Sequence, residues 1–160
     1  LKSTIELSAA CPCGSQRTFA GCCAPVLQDL RRAHTPEALM RARYSAFVIQ
    51  DTDFLQASWD PATRPPMADL EASGPRWCRL TVIDSEDAGD GTGCVRFTAV
   101  GRESGGFFVL TESSRFRFDS QADHWRYVDG DADWRRLDVG RNAPCPCASG
   151  LKAKRCCARD

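Results

Sequence analysis

The sequence predicts an α+β protein in which helices precede and cover an antiparallel four-stranded sheet, with a small metal-binding module at each end. Three observations predict it. Apolar residues recur at helical spacing through residues 35–59; from Trp77 they alternate with period two in four runs joined by short turns; and a four-cysteine cluster occurs twice, before and after this middle region.

The first cluster reads Cys11-Pro12-Cys13, eight residues, then Cys22-Cys23, and the second reads Cys145-Pro146-Cys147, eight residues, then Cys156-Cys157. Ser15 and Ser149 follow at the same position, so the match extends beyond sulfur. Four thiols this close suit one tetrahedral soft-metal ion, and zinc takes four thiolates in closed structural sites. Such a site keeps no open position for a bound water, so its zinc is structural. The alternatives are a disulfide framework and iron–sulfur ligation. The spacing is that of a metal cluster, Leu1 to Ala10 is neither basic nor apolar enough for a signal peptide, and neither common ferredoxin spacing fits. The expectation is zinc in a cytoplasmic protein.

Between the clusters, Ala24 to Ala33 reads as a short helical turn with Val26, Leu27 and Leu30 on one face, and His34 as a surface or capping residue. Thr35 is a good N-cap, Pro36 suits the first helical position, and Leu39, Ala42, Ala46 and Ile49 recur at helical spacing, with Met40, Tyr44 and Phe47 beside them. Asp51-Thr52-Asp53 caps another helix through Trp59, ended by Asp60-Pro61. Met67 to Ser73 adds a turn closed by Gly74. The strands follow: one from Trp77 with Leu80 and Val82, one with Val95, Phe97 and Ala99, a long one from Phe107 to Phe118, and one from His124 to Asp129. Asp131 to Val139 reads as a polar connection to the second cluster.

The residues around the second cluster, Val139-Gly140-Arg141-Asn142-Ala143-Pro144-Cys145-Pro146-Cys147-Ala148-Ser149-Gly150 with Cys156-Cys157, resemble the SEC-C motif, the zinc module that ends the translocation ATPase SecA. Two such copies around a middle domain resemble the YchJ family. The resemblance implies zinc on Cys11, Cys13, Cys22 and Cys23 and on Cys145, Cys147, Cys156 and Cys157. It also implies a nuclear transport factor 2-like middle domain, a cone with a curved sheet and an apolar pocket. The division it suggests is 1–25, 26–137 and 138–160. Ala148 stands for the usual Gly, Ala153 for the usual aromatic and Gln16 for the second Gly of the first copy, changes that leave the ligands intact.

The 21 basic and 21 acidic side chains balance. Two four-thiolate zinc sites would bring the charge to roughly −4, which argues against non-specific nucleic-acid binding. No apolar run approaches the roughly twenty residues of a membrane span. In the middle region Glu112 shares a strand face with Phe108, Leu110, Phe116 and Phe118, so it points inward as a pocket candidate. It reads as a general base, or as a carboxylate paired with arginine or turned outward by a bulge near Ser113-Ser114. Asp53, Tyr44 and Trp59 are candidates to line the same pocket. No second acid or base at a defined spacing accompanies Glu112, so no catalytic residue is assigned.

The leading reading is therefore a zinc-binding adaptor that docks a protein partner. Lys152, Lys154 and Arg155 on the second cluster's short loop are the candidate contact residues. The SecA resemblance implies a partner in preprotein handling or at the ribosome. The alternative is a small-molecule-binding protein or enzyme that uses the middle-domain pocket.

Overall fold

A computed structural model describes residues 4–71, 74–104 and 106–159. Its helices are α1 (Cys23–Gln28), α2 (Pro36–Ile49), α3 (Thr52–Ala57) and α4 (Met67–Glu71). Its strands are β1 (Arg76–Asp87), β2 (Thr92–Glu103), β3 (Gly106–Asp119) and β4 (His124–Leu137). The expected end of α4 at Ser73 lies outside the described residues. No helix among the described residues is long and apolar enough to cross a membrane.

Local chemistry sets the helix ends. The Thr35 hydroxyl accepts from the Ala38 N–H at 3.1 Å, Pro36 begins α2, and Gln50 closes it in the left-handed conformation. Asp51 caps α3 by accepting from the Phe54 N–H at 3.1 Å. This helix stops at Ala57, two residues short of the expected Trp59. Tertiary pairing wins here: the Tyr127 N–H donates to the Ser58 carbonyl at 2.9 Å and the Asp60 N–H to the Tyr127 carbonyl at 2.7 Å. Arg117 then pins the segment, with both Nε and Nη2 donating to the buried Asp60 carboxylate.

The four strands form one antiparallel meander in the order β1-β2-β3-β4. Register shifts at Trp77/Arg79, Val82/Asp84 and Arg115/Phe116 mark irregularities that bend the strands and increase their twist. Helix α2 packs between α1 and the sheet, which explains why it buries residues on both faces. Phe47 departs from its expected place in the core: at 39% exposed it stands at the rim of a cavity.

Residues 131–137 are strand rather than the expected polar connection. β3 is long enough to offer backbone partners as far as Leu137, and hydrogen bonding along a sheet edge does not require apolar side chains. Trp134 leans on Trp77, with ring centroids 5.9 Å apart. Arg115 bridges Asp129 and, at 2.7 Å, Asp131.

Burial divides into two clusters. The larger unites α2, α3 and the inner sheet face with Cys11, Cys13, Phe19 and Cys23 of the first cysteine module. The smaller lies on the other side of the sheet, where Phe107 packs with Cys145, Ala153 and Cys157, and Cys78, Val100 and Leu137 border it.

Candidate functional site

Within each module the chain folds back so that the four sulfurs meet, all lying within 4.8 Å of one another. A tetrahedron with metal–sulfur bonds of about 2.3 Å has sulfur–sulfur edges of about 3.8 Å. The observed separations bracket that edge: Cys13 to Cys22 is 3.6 Å and Cys22 to Cys23 is 3.9 Å, while Cys147 to Cys156 is 3.4 Å and Cys156 to Cys157 is 3.9 Å. Each module therefore fits one four-coordinate ion.

The two modules share their hydrogen bonds position by position. The Cys11 N–H donates to the Arg17 carbonyl at 2.9 Å, and the Cys145 N–H to Leu151 at 2.8 Å. The Phe19 N–H donates to Ala9 at 2.8 Å, and the Ala153 N–H to Ala143 at 2.9 Å. Ser15 lies 3.1 Å from the Cys22 sulfur and Ser149 3.2 Å from Cys156, hydroxyls that can steady a thiolate. The second cysteine of each module is the readiest thiolate. Hydrogen bonds from Cys11 and Cys23 hold Cys13 well below the ordinary thiol range. Burial opposes ionisation of Cys147, yet hydrogen bonds from Ser149 and Cys145 bring it down to about 6. The buried last cysteines, Cys23 and Cys157, are pushed up instead, Cys23 chiefly by hydrogen bonding to Cys11 and Cys157 chiefly by burial.

Two turn positions explain the glycines usual in such loops. Gln16 at φ 63° and Ala148 at φ 62° occupy the left-handed region, where Gly14 and Gly150 stand at the matching positions of the other copy. A side chain there costs about 1 kcal/mol. Gln16→Gly and Ala148→Gly are therefore each expected to raise the melting temperature by about 2–4 °C, read by thermal denaturation of the metal-loaded protein. A fall in either variant would mean the side chain makes a compensating contact.

Sequence reasoning passed over the residues that join modules to sheet. Arg41, held by Glu37 at 2.8 Å, donates to the Cys13 carbonyl at 3.0 Å. Arg102 on β2 donates to the Cys157 carbonyl at 2.8 Å. An arginine that binds a main-chain carbonyl through space leaves no mark on local periodicity. Lys152, Lys154 and Arg155 are exposed on a short 3₁₀ turn, with Ala153 buried beneath them.

A cavity of about 650 Å³ lies between α2, α3 and the inner sheet face. Glu112 points into it, as its strand face predicts, but among the described residues it pairs with no arginine. Its Oε1 accepts from the Ser114 hydroxyl at 2.7 Å and from the Tyr127 hydroxyl at 2.9 Å. The bulge falls beyond it, at Arg115/Phe116, and does not turn it outward. Gly130 on β4 faces Glu112 so closely that a Cβ there would overlap the carboxylate. Tyr44 and Trp59 line the cavity as expected; Asp53 does not, being exposed on the opposite side of α3.

Arg43 was not legible as a site residue. It is 3% exposed, with its guanidinium 4.7 Å from the Trp59 ring centroid and 4.3 Å from that of Tyr127. Its Nη1 donates to the Leu55 carbonyl at 3.1 Å and to Ser58 Oγ at 2.7 Å. Desolvation lowers its pKa to about 10, which leaves it charged at neutral pH. The signal was present in the sequence as one arginine inside the apolar stripe Leu39, Arg43, Ala46.

Comparison with known proteins agrees with this architecture. The family model described as the YchJ middle NTF2-like domain matches residues 35–130, and that of the SEC-C motif matches residues 141–159. A SEC-C motif containing protein from Rhodopseudomonas palustris, known from a solution structure, superposes with a TM-score of 0.71 at 33% identity, over 78% of this chain and 99% of that one. A crystal structure of a second such protein, from Psychrobacter arcticus, gives 0.66 at 28% identity, over 94% and 97%. A UPF0225 protein of Photorhabdus laumondii is 42% identical over 92% of this chain and 97% of its own length, and one of Sodalis glossinidius is 43% identical over 92% and 96%. With the middle domain matched and nearly the whole length shared with these relatives, the chain belongs to the UPF0225 family of proteins with a YchJ-type NTF2-like domain.

Proposed function

We propose that this protein is a zinc-stapled cytoplasmic binding protein. Cys11, Cys13, Cys22 and Cys23 would hold one zinc ion in a second SEC-C module, and Cys145, Cys147, Cys156 and Cys157 another. The observation that carries the reading is the approach of four sulfurs to within 4.8 Å of one another at each end. Bound zinc would supply local folding free energy to modules with few apolar side chains of their own. The division 1–25, 26–137 and 138–160 is proposed as the extent of the modules and not as independently folding units, because α1 crosses the first boundary. Metal analysis of protein purified without added metal is expected to find about two zinc ions per chain. Absence of metal with the eight thiols oxidised in pairs would refute it, and a brown protein absorbing visible light would indicate iron–sulfur instead.

The second module is proposed to dock a protein partner of preprotein handling or the ribosome through Lys152, Lys154 and Arg155. Their exposure on a turn that metal would hold rigid supports this, since little ordering entropy is lost on contact. Replacing all three by alanine is expected to leave zinc content and melting unchanged while weakening partner capture in a salt-sensitive way. Undiminished capture would assign these charges to neutralising the thiolates.

The cavity supports a second reading, in which the middle domain holds a small ligand. Its volume of about 650 Å³ and its apolar walls with convergent polar groups suit a ligand site and support this reading.

A further inference from the structure

Polar groups in an apolar cavity select a ligand by the hydrogen bonds they still lack. Arg43 can only donate, and among the described residues its Nε and Nη2 bond to nothing. The Trp59 Nε1–H also has no partner among the described residues, but it is sealed from the cavity and leaves Arg43 as the donor. Glu112 is an acceptor whose Oε1 is taken by Ser114 and Tyr127, while its Oε2 accepts from nothing among the described residues. Tyr127 touches both charges, with its ring under Arg43 and its hydroxyl on Glu112. Among the described residues the two form no ion pair, so each keeps capacity for a third group.

We infer that the cavity takes a neutral, ring-sized molecule whose headgroup carries a hydrogen-bond donor and an acceptor side by side, such as a carboxamide or a lactam edge. The donor meets Oε2 of Glu112. The acceptor meets Arg43. The other lining carboxylate, Asp69, is exposed to solvent, so among the buried and half-buried groups one guanidinium and one carboxylate balance, and a charged ligand would leave one net charge beside them. Trp77, Phe97 and Leu110 supply the flat apolar walls for the ring. The inference rests on the second reading above, that the cavity is a ligand site.

Indole-3-acetamide, indole-3-acetate and tryptamine share one ring system and differ in headgroup charge. Titrated into the full-length metal-loaded protein and followed by nuclear magnetic resonance, the amide is expected to bind at least about tenfold tighter than either charged analogue. The shifts should fall on the indole signals of Trp59 and Trp77. In Glu112→Gln, where the Arg43 charge is unbalanced, the acetate should overtake the amide. Tighter binding of either charged probe to the wild-type protein, or equal binding of all three, overturns the headgroup assignment and leaves the ligand-site reading standing. No binding of any probe at millimolar concentration, or shifts confined to other residues, overturns both. The wild-type comparison holds whether or not the Gln variant folds.

Discussion

Cys13→Ser is expected to lower the melting temperature by about 10 °C or more, while the matched change Cys147→Ser lowers it by only about 2–4 °C. The two residues occupy the same position of the repeat but not the same place in the fold. Cys13 is fully buried in the cluster that also contains Leu39, Leu80 and Val95, and its carbonyl receives Arg41 from α2. Losing its sulfur would release the proposed metal from a module whose Phe19, Cys23 and Ala24 are part of the main core, so the helices and the sheet lose packing together. Cys147 borders the smaller cluster across the sheet, where Phe107 and Leu137 would be uncovered while the main core stays closed. The same argument predicts that a chain of residues 26–137 is markedly less stable than the whole protein. Equal losses in the two serine variants, measured by thermal denaturation with metal content monitored, would mean that the modules are energetically equivalent.

Arg43→Ala is expected to cost about 3–5 kcal/mol, and Arg43→Met close to nothing. Alanine removes both the stem and the guanidinium that lies against Trp59 and Tyr127, and opens a void in a packed region. Methionine replaces most of that volume without a charge. Ser58 remains satisfied in either case, because its own hydroxyl donates to the Leu55 carbonyl at 3.0 Å. A buried cation with no carboxylate bound to it is expensive to hold, as the desolvation-lowered pKa of Arg43 indicates, so removing it with conserved volume relieves a cost that offsets the lost attraction to the Glu112 charge. If Arg43 serves a ligand, Arg43→Met keeps the fold and weakens indole-3-acetamide binding by about tenfold. Urea denaturation of the two variants decides the stability part, and a large loss in Arg43→Met would show that the charge itself holds α2 against the sheet.

Both variants concern residues whose roles were legible to different degrees. The cysteine modules could be read without a structure because all their ligands lie within thirteen consecutive residues. The ligand spacing, the turn positions and Ser15 and Ser149 act over one short loop, so local order dictates local geometry. The caps Thr35 and Asp51 and the period-two runs of the strands were readable for the same reason. The inward direction of Glu112 followed from strand alternation alone.

What only the tertiary structure decided is everything that depends on what comes to lie opposite. Gly130, Tyr127 and Ser114 define the surroundings of Glu112, and two of them come from another strand. Residues 131–137 became strand because β3 offered them hydrogen-bond partners. Arg43 became a buried cation because two aromatic rings from distant segments closed over it. The sequence by itself determined the geometry of the four-cysteine clusters, the helix caps and the α+β class, since these are set by bonds between near neighbours in the chain. It did not determine which module joins the main core or what the cavity presents, since those are set by contacts between residues far apart in the chain, whose energies no local period records.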